Sequence, residues 1–308
     1  MKDNAQADVV IIGAGTAGLT AAIYVQRAGK ASLVLEGNAY GGQIINTPDI
    51  ENYPGIAHIS GFDFATGLYN QAQELGAKIE FESVLEIVPD GKGKIVKTRE
   101  REIHAGAVIL ATGVVRRELG LPNEKKLAGK GVSYCATCDG AFYRKKEVAV
   151  NGGGNTALED ALFLTRFCSR VYLIHRRDAF RADAAEVEKL KAKDNVELVL
   201  NATIDELKEG EDGKLSGVEV VDKFTGEKRI IPAAGLFVAI GQVPSNQAFA
   251  GIVDLDEAGY IVAGEDTRTS AEGIFAAGDC RTKSVRQLAT AAGDGAVAGL
   301  AACQYVEA

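Results

Sequence analysis

Apolar residues in this chain fall into short runs set between glycine-rich turns, and into longer stretches with helical spacing. Val9 to Ile12 is a short run of the kind buried on both faces of a parallel sheet. Leu19 to Ala28 carries apolar residues at helical intervals, and Gly29 is a natural stop. Ser32 to Leu35 is a second apolar strand, ending at Glu36. Gly61 to Leu75 reads as a helix, while Lys78 to Val88 and Lys94 to Ile103 alternate as antiparallel strands do. Ala107 to Leu110 is a strand that closes on Ala111-Thr112-Gly113. The pattern then restarts, with a strand at Val148 to Val150, a helix at Thr156 to Phe167 and a strand at Val171 to Ile174. Val196 to Leu200 and Gly217 to Ile231 predict further strands around a polar turn at Glu209 to Gly213. Leu236 to Ile240 closes on Gly241, much as the earlier strand closes on Gly113. A last strand, Gly273 to Ala277, precedes a small-residue helix at Leu288 to Ala302.

Glycines punctuate both restarts. Gly13-Ala14-Gly15-Thr16-Ala17-Gly18 joins the first strand to its helix, and Glu36 ends the next strand. In such a unit the first glycine allows the turn, the second admits a pyrophosphate and the third lets helix pack on strand. The acid is placed to accept a ribose hydroxyl. An offset of 139 residues carries Gly13, Gly15 and Gly18 onto Gly152, Gly154 and Ala157, and Glu36 onto His175. A whole strand–loop–helix–strand unit is therefore repeated, which argues for two nucleotide domains. Where the first unit has an acid, the second has His175, Arg176 and Arg177, with Arg181 beyond. Guanidinium groups there suit a ribose 2′-phosphate, and hence NADPH, unless they are merely a solvated basic helix start. Leu121-Pro122 and Val243-Pro244 bracket the second unit, so it reads as an insertion: residues 117–244 within a domain made of 1–116 and 245–308.

Three other segments carry polar groups at predicted loops. Gly41-Gly42-Gln43 and Glu51-Asn52-Tyr53-Pro54-Gly55 fit either plain turns or a backbone laid against a flat ring, with Gln43 and Asn52 at its edge. Gly278-Asp279 and Arg286-Gln287 offer a polyol acceptor and further edge contacts. His58 and His104 read as ordinary surface residues.

Composition narrows the classes. The 308 residues suggest two domains, and a net charge of −8 with no basic stripe argues against a nucleic-acid partner. No apolar run approaches the ~20 residues that span a bilayer. Met1 to Ala7 is polar and unlike a signal peptide. Five cysteines, an odd number in a chain this long, describe no secreted disulfide framework, and a reducing cytoplasm is the consistent compartment.

Cys135-Ala136-Thr137-Cys138-Asp139 is the remaining chemistry. Two cysteines at this spacing close into a small disulfide and reopen as a dithiol, and a thiolate passes oxidation state by attacking a partner disulfide. Asp139 is placed to move a proton. The other reading is half of a zinc site, which needs about four ligands. Cys168, Cys280 and Cys303 are scattered, with no histidine at ligand spacing, and read as small apolar fillers.

Taken together, the two glycine motifs, Gly41-Gly42-Gln43, the Glu51 to Gly55 segment, Ala111-Thr112-Gly113, Cys135 to Asp139, the arginines and the Gly278-Asp279 and Arg286-Gln287 pairs are highly specific. Over essentially its whole length the chain resembles the bacterial-type, low-molecular-weight thioredoxin reductases. The resemblance implies an α/β fold of two Rossmann-like three-layer domains, a homodimer, and electron flow from NADPH through FAD to Cys135–Cys138 and on to thioredoxin. By the same resemblance Cys138 lies next to the flavin, Cys135 attacks thioredoxin and Asp139 is the acid. FAD would lie against Gly13, Gly15, Thr16, Ala17, Glu36, Gly37, Gly41, Gly42, Gln43, Asn52, Val84, Ala111, Thr112, Gly113, Gly278, Asp279, Arg286, Gln287, Leu288 and Ala289. NADPH would lie against Gly152, Gly154, Asn155, Thr156, His175, Arg176, Arg177, Arg181, Ile240 and Gly241. Members of this family rotate the inserted domain on its two connections, here near Val115 to Pro122 and Gln242 to Asn246. Asn151 and Ala141 depart from the family's pattern, the first a matter of packing and the second of partner contacts. Other readings are reduction of a different disulfide partner, a ferredoxin-fed reductase, and a flavin-binding sensor without turnover.

Overall fold

The computed structural model describes residues 5–47 and 49–308; Met1 to Asn4 of the polar N-terminal stretch lie outside these. The chain divides into two compact units, Met1–Val115 with Val243–Ala308, and Arg116–Gln242. Both crossings lie in one two-stranded ribbon, formed by Val114–Arg116 and Gln242–Pro244.

The first unit is built on a mixed sheet. Its parallel part runs Lys78–Glu80, Ser32–Leu35, Ala5–Ile12 and Glu102–Leu110. Glu102–Leu110 is long enough for two neighbours on its far edge. Gly93–Thr98 pairs antiparallel with its first half, and Ile274–Ala276 pairs parallel with its second. Alternate residues of the central strands enter two cores, as a sheet covered on both faces requires. Val9, Ile11, Val34 and Ile109 pack with the helices Thr16–Arg27 and Leu288–Glu307. Val10, Ile12, Leu33, Val108 and Leu110 pack on the opposite side with Phe249, Val253 and Ile261.

The second unit has a parallel sheet in the order Val196–Leu200, Arg170–His175, Glu147–Gly152, Gly235–Ala239, Val132–Ser133. It has a core on each face too, one containing Ala149, Ile174 and Leu236, the other Val148, Leu173 and Phe237. A three-stranded antiparallel sheet, Ala202–Glu209, Leu215–Asp222 and Lys228–Pro232, adds to the first of these. The fold is α/β, with two parallel-sheet nucleotide-binding domains.

Several spans differ from the sequence pattern. The alternating stretch from Lys78 to Val88 is two strands: Lys78–Glu80 joins the parallel sheet, and Val84–Asp90 turns away to pair with Gly93–Thr98. Alternation alone cannot reveal that the partner changes midway. The expected strand Lys94 to Ile103 breaks at a turn held by the Thr98 hydroxyl, which accepts from the Glu100 and Arg101 N–H groups. The Gly217 to Ile231 stretch is a hairpin. Ala202–Glu209 and the helix Ala184–Lys191 carried too many charges to be seen as elements.

Candidate redox centre and nucleotide sites

The dithiol pair grows out of the edge of the second unit's sheet. Val132–Ser133 pairs with the strand Gly235–Ala239, which fixes where the next residues begin. Cys135 caps a one-turn helix, Ala136–Asp139, that continues into the 3-10 turn Gly140–Tyr143. Gly140 lets this turn settle on the helix Asn155–Leu164 and the residues after it, because a Cβ there would come within 3.0–3.2 Å of Leu164, Phe167 and Phe163. Cys135 and Cys138 form a disulfide with Cα atoms 5.3 Å apart, and both are half-buried. The Cys135 sulfur lies 3.4 Å from the Thr137 hydroxyl.

Asp139 sits behind the pair. The Ser133 hydroxyl donates to its Oδ2 at 2.6 Å, while Oδ1 is buried with no hydrogen bond. Burial raises the carboxyl above its ordinary value, and Ser133 and the Arg116 charge only partly oppose this. Ser133 also accepts the Cys135 N–H at 3.1 Å. Tyr134, between them, donates its hydroxyl to Glu124 at 2.8 Å. That buried carboxylate takes the Leu119 and Gly120 N–H groups as well, each at 2.9 Å. A half-exposed disulfide next to a carboxyl whose burial favours its protonated form is equipped for thiol–disulfide exchange. Among the described residues, the one gathering of three potential metal ligands is Asp49, Glu51 and His58, on a loop of the first unit. The free thiols Cys168, Cys280 and Cys303 are all buried.

In the first unit Glu36, Gly41, Ala111 and Gly278 lie against the glycine loop. Gly13 has φ +109°, and a Cβ there would lie 2.3 Å from the Ala111 carbonyl oxygen. The loop therefore lies tight against Ala111-Thr112-Gly113. Glu36 accepts the Ala14 N–H at 2.8 Å and the Asn38 N–H at 2.9 Å, so its carboxylate stands at the loop. Gly41 donates to the Ala14 carbonyl at 2.7 Å and brings Gly42-Gln43 alongside. Gln43 donates its side-chain amide to the Val114 carbonyl, and Asn52 reaches Gln287 at 3.3 Å. Gly278 lies over Ala17, and Arg286 reaches the Asp279 carbonyl at 3.4 Å. Thr112 is fixed by the buried Asn246, whose Oδ1 accepts its hydroxyl at 2.8 Å. Gln287 caps the helix that begins with Leu288 and Ala289. Val84 opens its strand, and Gly37 is exposed beside the Ser83 hydroxyl. Around Gly15 no atom lies within 4 Å of a built Cβ. An open cradle at a helix start, with backbone N–H groups and the Glu36 carboxylate beside it, fits the pyrophosphate and ribose of a dinucleotide such as FAD.

The second loop is likewise open at Gly154. Asn155 holds the Asp183 N–H at 3.0 Å, and Arg181 donates its backbone N–H to the Gly153 carbonyl at 2.8 Å. Arg181 is thereby tied to the loop. Arg176, Arg177 and Arg181 are exposed and make no ion pair among the described residues. His175 differs from them. It is buried beneath Gly153, bonded to the Ala179 carbonyl at 3.2 Å and stacked on Phe180. Burial and the neighbouring arginines push its pKa down, so it stays neutral. Thr156 is the second residue of the helix Asn155–Leu164, and Ile240 and Gly241 follow the closing strand. Asn151 is half-buried in the central strand, and Ala141 and Phe142 are exposed.

The pattern-based reading passed over Ser133, Glu124, Asn246 and a buried charge cluster under Gly278. There Asp294 accepts from Gly278 N–H at 2.9 Å, Arg281 at 2.8 Å and Lys283 at 3.0 Å. Arg281 is 2% exposed and Asp294 9%. Ser133 had a local signal, being a hydroxyl at a strand end two residues before the first cysteine. The cluster had none, because its members look like surface charges until the chain is folded.

Residues 7–295 match the sequence profile of the pyridine nucleotide-disulphide oxidoreductase family. A thioredoxin reductase from Bacillus subtilis is 43% identical over 300 residues, covering 97% of this chain and 95% of the relative. One from Listeria monocytogenes is 42% identical over the same length, covering 97% and 94%. The crystal structure of thioredoxin reductase from Streptococcus pyogenes superimposes with a TM-score of 0.94 at 40% identity, covering 99% of each chain.

Proposed function

The chain belongs to the pyridine nucleotide-disulphide oxidoreductase family as a low-molecular-weight thioredoxin reductase, and from that premise we propose that electrons pass from NADPH to the Cys135–Cys138 disulfide and on to oxidised thioredoxin, with bound FAD supplying the two-electron relay between hydride and disulfide. The observation that carries this reading is a half-exposed disulfide in the unit that also presents three unpaired arginines at an open glycine loop. Both cradles are open at the middle glycine, Gly15 and Gly154, while Gly13 and Gly152 lie against the Ala111 and Ala239 carbonyl oxygens.

The residues divide the work. Gly13, Gly15 and Glu36 with Asp279, Arg286 and Gln287 would hold FAD. Gly152, Gly154 and the arginines would hold NADPH, with Arg176, Arg177 and Arg181 on its 2′-phosphate. Cys135 as thiolate attacks the thioredoxin disulfide and forms a mixed disulfide. Asp139 gives its proton to the departing thiolate. Cys138 then attacks Cys135, which releases the second thioredoxin sulfur and restores the Cys135–Cys138 bond. The overall balance is NADPH, a proton and thioredoxin disulfide giving NADP⁺ and thioredoxin dithiol. A homodimer is supported by Tyr24, Val297 and Leu300, apolar side chains left exposed on two long helices of the first unit. Three free thiols suit a reducing cytoplasm, and no helix among the described residues is long and apolar enough to cross a membrane.

Stopped-flow absorbance of the purified flavoprotein tests the route. Fast bleaching by NADPH, slower bleaching by NADH, and reoxidation on adding thioredoxin are expected. Bleaching without reoxidation would move the partner elsewhere, and no bleaching by NADPH would remove the second cradle from the route.

A further inference from the structure

Ser133 is 3% exposed and lies at the end of an apolar edge strand, where its hydroxyl has no packing purpose. All of its hydrogen-bond contacts lead to the redox turn, including a long one of 3.4 Å to the Cys135 carbonyl oxygen. It donates to Asp139 Oδ2 at 2.6 Å and accepts the Cys135 N–H at 3.1 Å. Asp139 Oδ1 is buried with no hydrogen bond, so Ser133 is the side chain that fixes how this carboxyl is turned. The hydroxyl hydrogen goes to the carboxyl oxygen and its lone pair to the cysteine, which defines the orientation of all three groups at once.

We propose that Ser133 is a positioning residue of the redox centre, holding the acid and the attacking cysteine in one arrangement through a single hydroxyl. The proposal rests on the thiol-exchange reading above. In the step concerned, the Asp139 O–H bond breaks, its proton joins the departing thioredoxin sulfur, and the carboxylate left behind is stabilised by the Ser133 donor. Water then reprotonates it. No electrons move in this step. The charged and titratable groups around Asp139 are Arg116, whose charge favours the carboxylate, and Tyr143, which Asp139 itself perturbs. Glu159 and Asp160 belong to the helix packed under the turn, where burial and then the Glu159 charge raise the Asp160 carboxyl.

The test compares Ser133→Ala and Ser133→Thr holoenzymes with the parent. Thioredoxin reduction is followed against pH, and the Asp139 carboxyl is titrated directly by carbon-13 NMR of the oxidised protein. Removing a donor to the carboxylate raises the Asp139 midpoint in Ser133→Ala. The limb of the turnover profile where Asp139 loses its proton moves up in parallel, and turnover at neutral pH falls about tenfold. Ser133→Thr, which keeps the hydroxyl, restores both. A turnover loss equal at every pH, with the Asp139 midpoint unmoved, overturns the proposal. So does a Ser133→Ala enzyme identical to the parent. Should the alanine variant fail to fold, a threonine variant with a displaced Asp139 midpoint would overturn it equally. If the parent itself reduces no thioredoxin, the function reading fails instead, and the NMR titration still decides the Ser133–Asp139 bond.

Discussion

The two glycine-loop units start from one backbone plan and diverge at the residue that ends their second strand. In the first unit this residue is Glu36, held at the loop by the Ala14 and Asn38 N–H groups. In the second it is His175, drawn under Gly153 and kept there by Phe180 and the Ala179 carbonyl. A neutral ring replaces a carboxylate and leaves the rim of the loop to Arg176, Arg177 and Arg181. On the function proposed above, the cradle would be indifferent to which dinucleotide it takes, and the end of the second strand would choose. A carboxylate accepts a free ribose hydroxyl and repels a phosphate there, whereas guanidinium groups do the reverse.

The sharpest way to break this contrast is to remove the arginines. Each charge-assisted hydrogen bond contributes about 1.5–3 kcal/mol, so Arg176→Ala with Arg177→Ala should reduce kcat/KM for NADPH by about 10³ while kcat/KM for NADH changes little. Steady-state kinetics with the two nucleotides measure it. An equal loss with both would mean that the arginines form an ordinary solvated face.

Much of this contrast was legible in the sequence because it is local. A strand, three glycines and a helix lie within some twenty residues, and a constant offset exposes their repetition. The burial of His175 was not legible, since it depends on Gly153 having no side chain and on Phe180 folding back. The Asp294 cluster was invisible for a related reason. Its carboxylate comes from the last helix and its cations from the turn before it, and burial would ordinarily raise its pKa. Arg281, Lys283 and the Gly278 N–H instead hold it below the usual carboxylate range. Register was the other blind spot. Phe81 to Ser83 looks like strand interior, yet there the chain leaves a parallel partner and takes an antiparallel one.

A second contrast lies one turn into the two helices. The offset that pairs the glycines also pairs Ala21 with Asp160. Ala21 is sealed against the last helix, where a Cβ on Gly299 would lie 2.9 Å from its carbonyl oxygen. Asp160 sits in the corresponding helix with its pKa pushed up to about 7 by burial and then by the Glu159 charge. A carboxyl whose folded value exceeds its unfolded one binds a proton more tightly when folded. Stability is therefore lost as pH rises from the ordinary value near 4 through about 7. Asp160→Asn should match the parent below that window and exceed it by about 2 kcal/mol above it, after discounting for relaxation. Urea midpoints on both sides of the window measure this, and a difference independent of pH would show that no ionisation is involved.

The smallest change probes what the two cradles share. Gly15 has φ −80° and Gly154 φ −101°, ordinary angles for any residue, and neither has an atom within 4 Å of a built Cβ. Alanine at either position should leave the ligand-free fold within about 0.5 kcal/mol of the parent. Its methyl group, however, would enter the space at the helix start where a phosphate must approach the backbone. Gly15→Ala should weaken FAD retention about tenfold, and Gly154→Ala should raise KM for NADPH by a similar factor. Gly18→Ala provides the control. A Cβ there would lie 1.9 Å from the Gly13 carbonyl oxygen, so the damage should appear in the melting of the ligand-free protein rather than in ligand affinity alone. Unchanged FAD retention in Gly15→Ala would mean that the pyrophosphate does not lie over this helix start, and the shared plan of the two units would then be a packing device in the first and a ligand site only in the second.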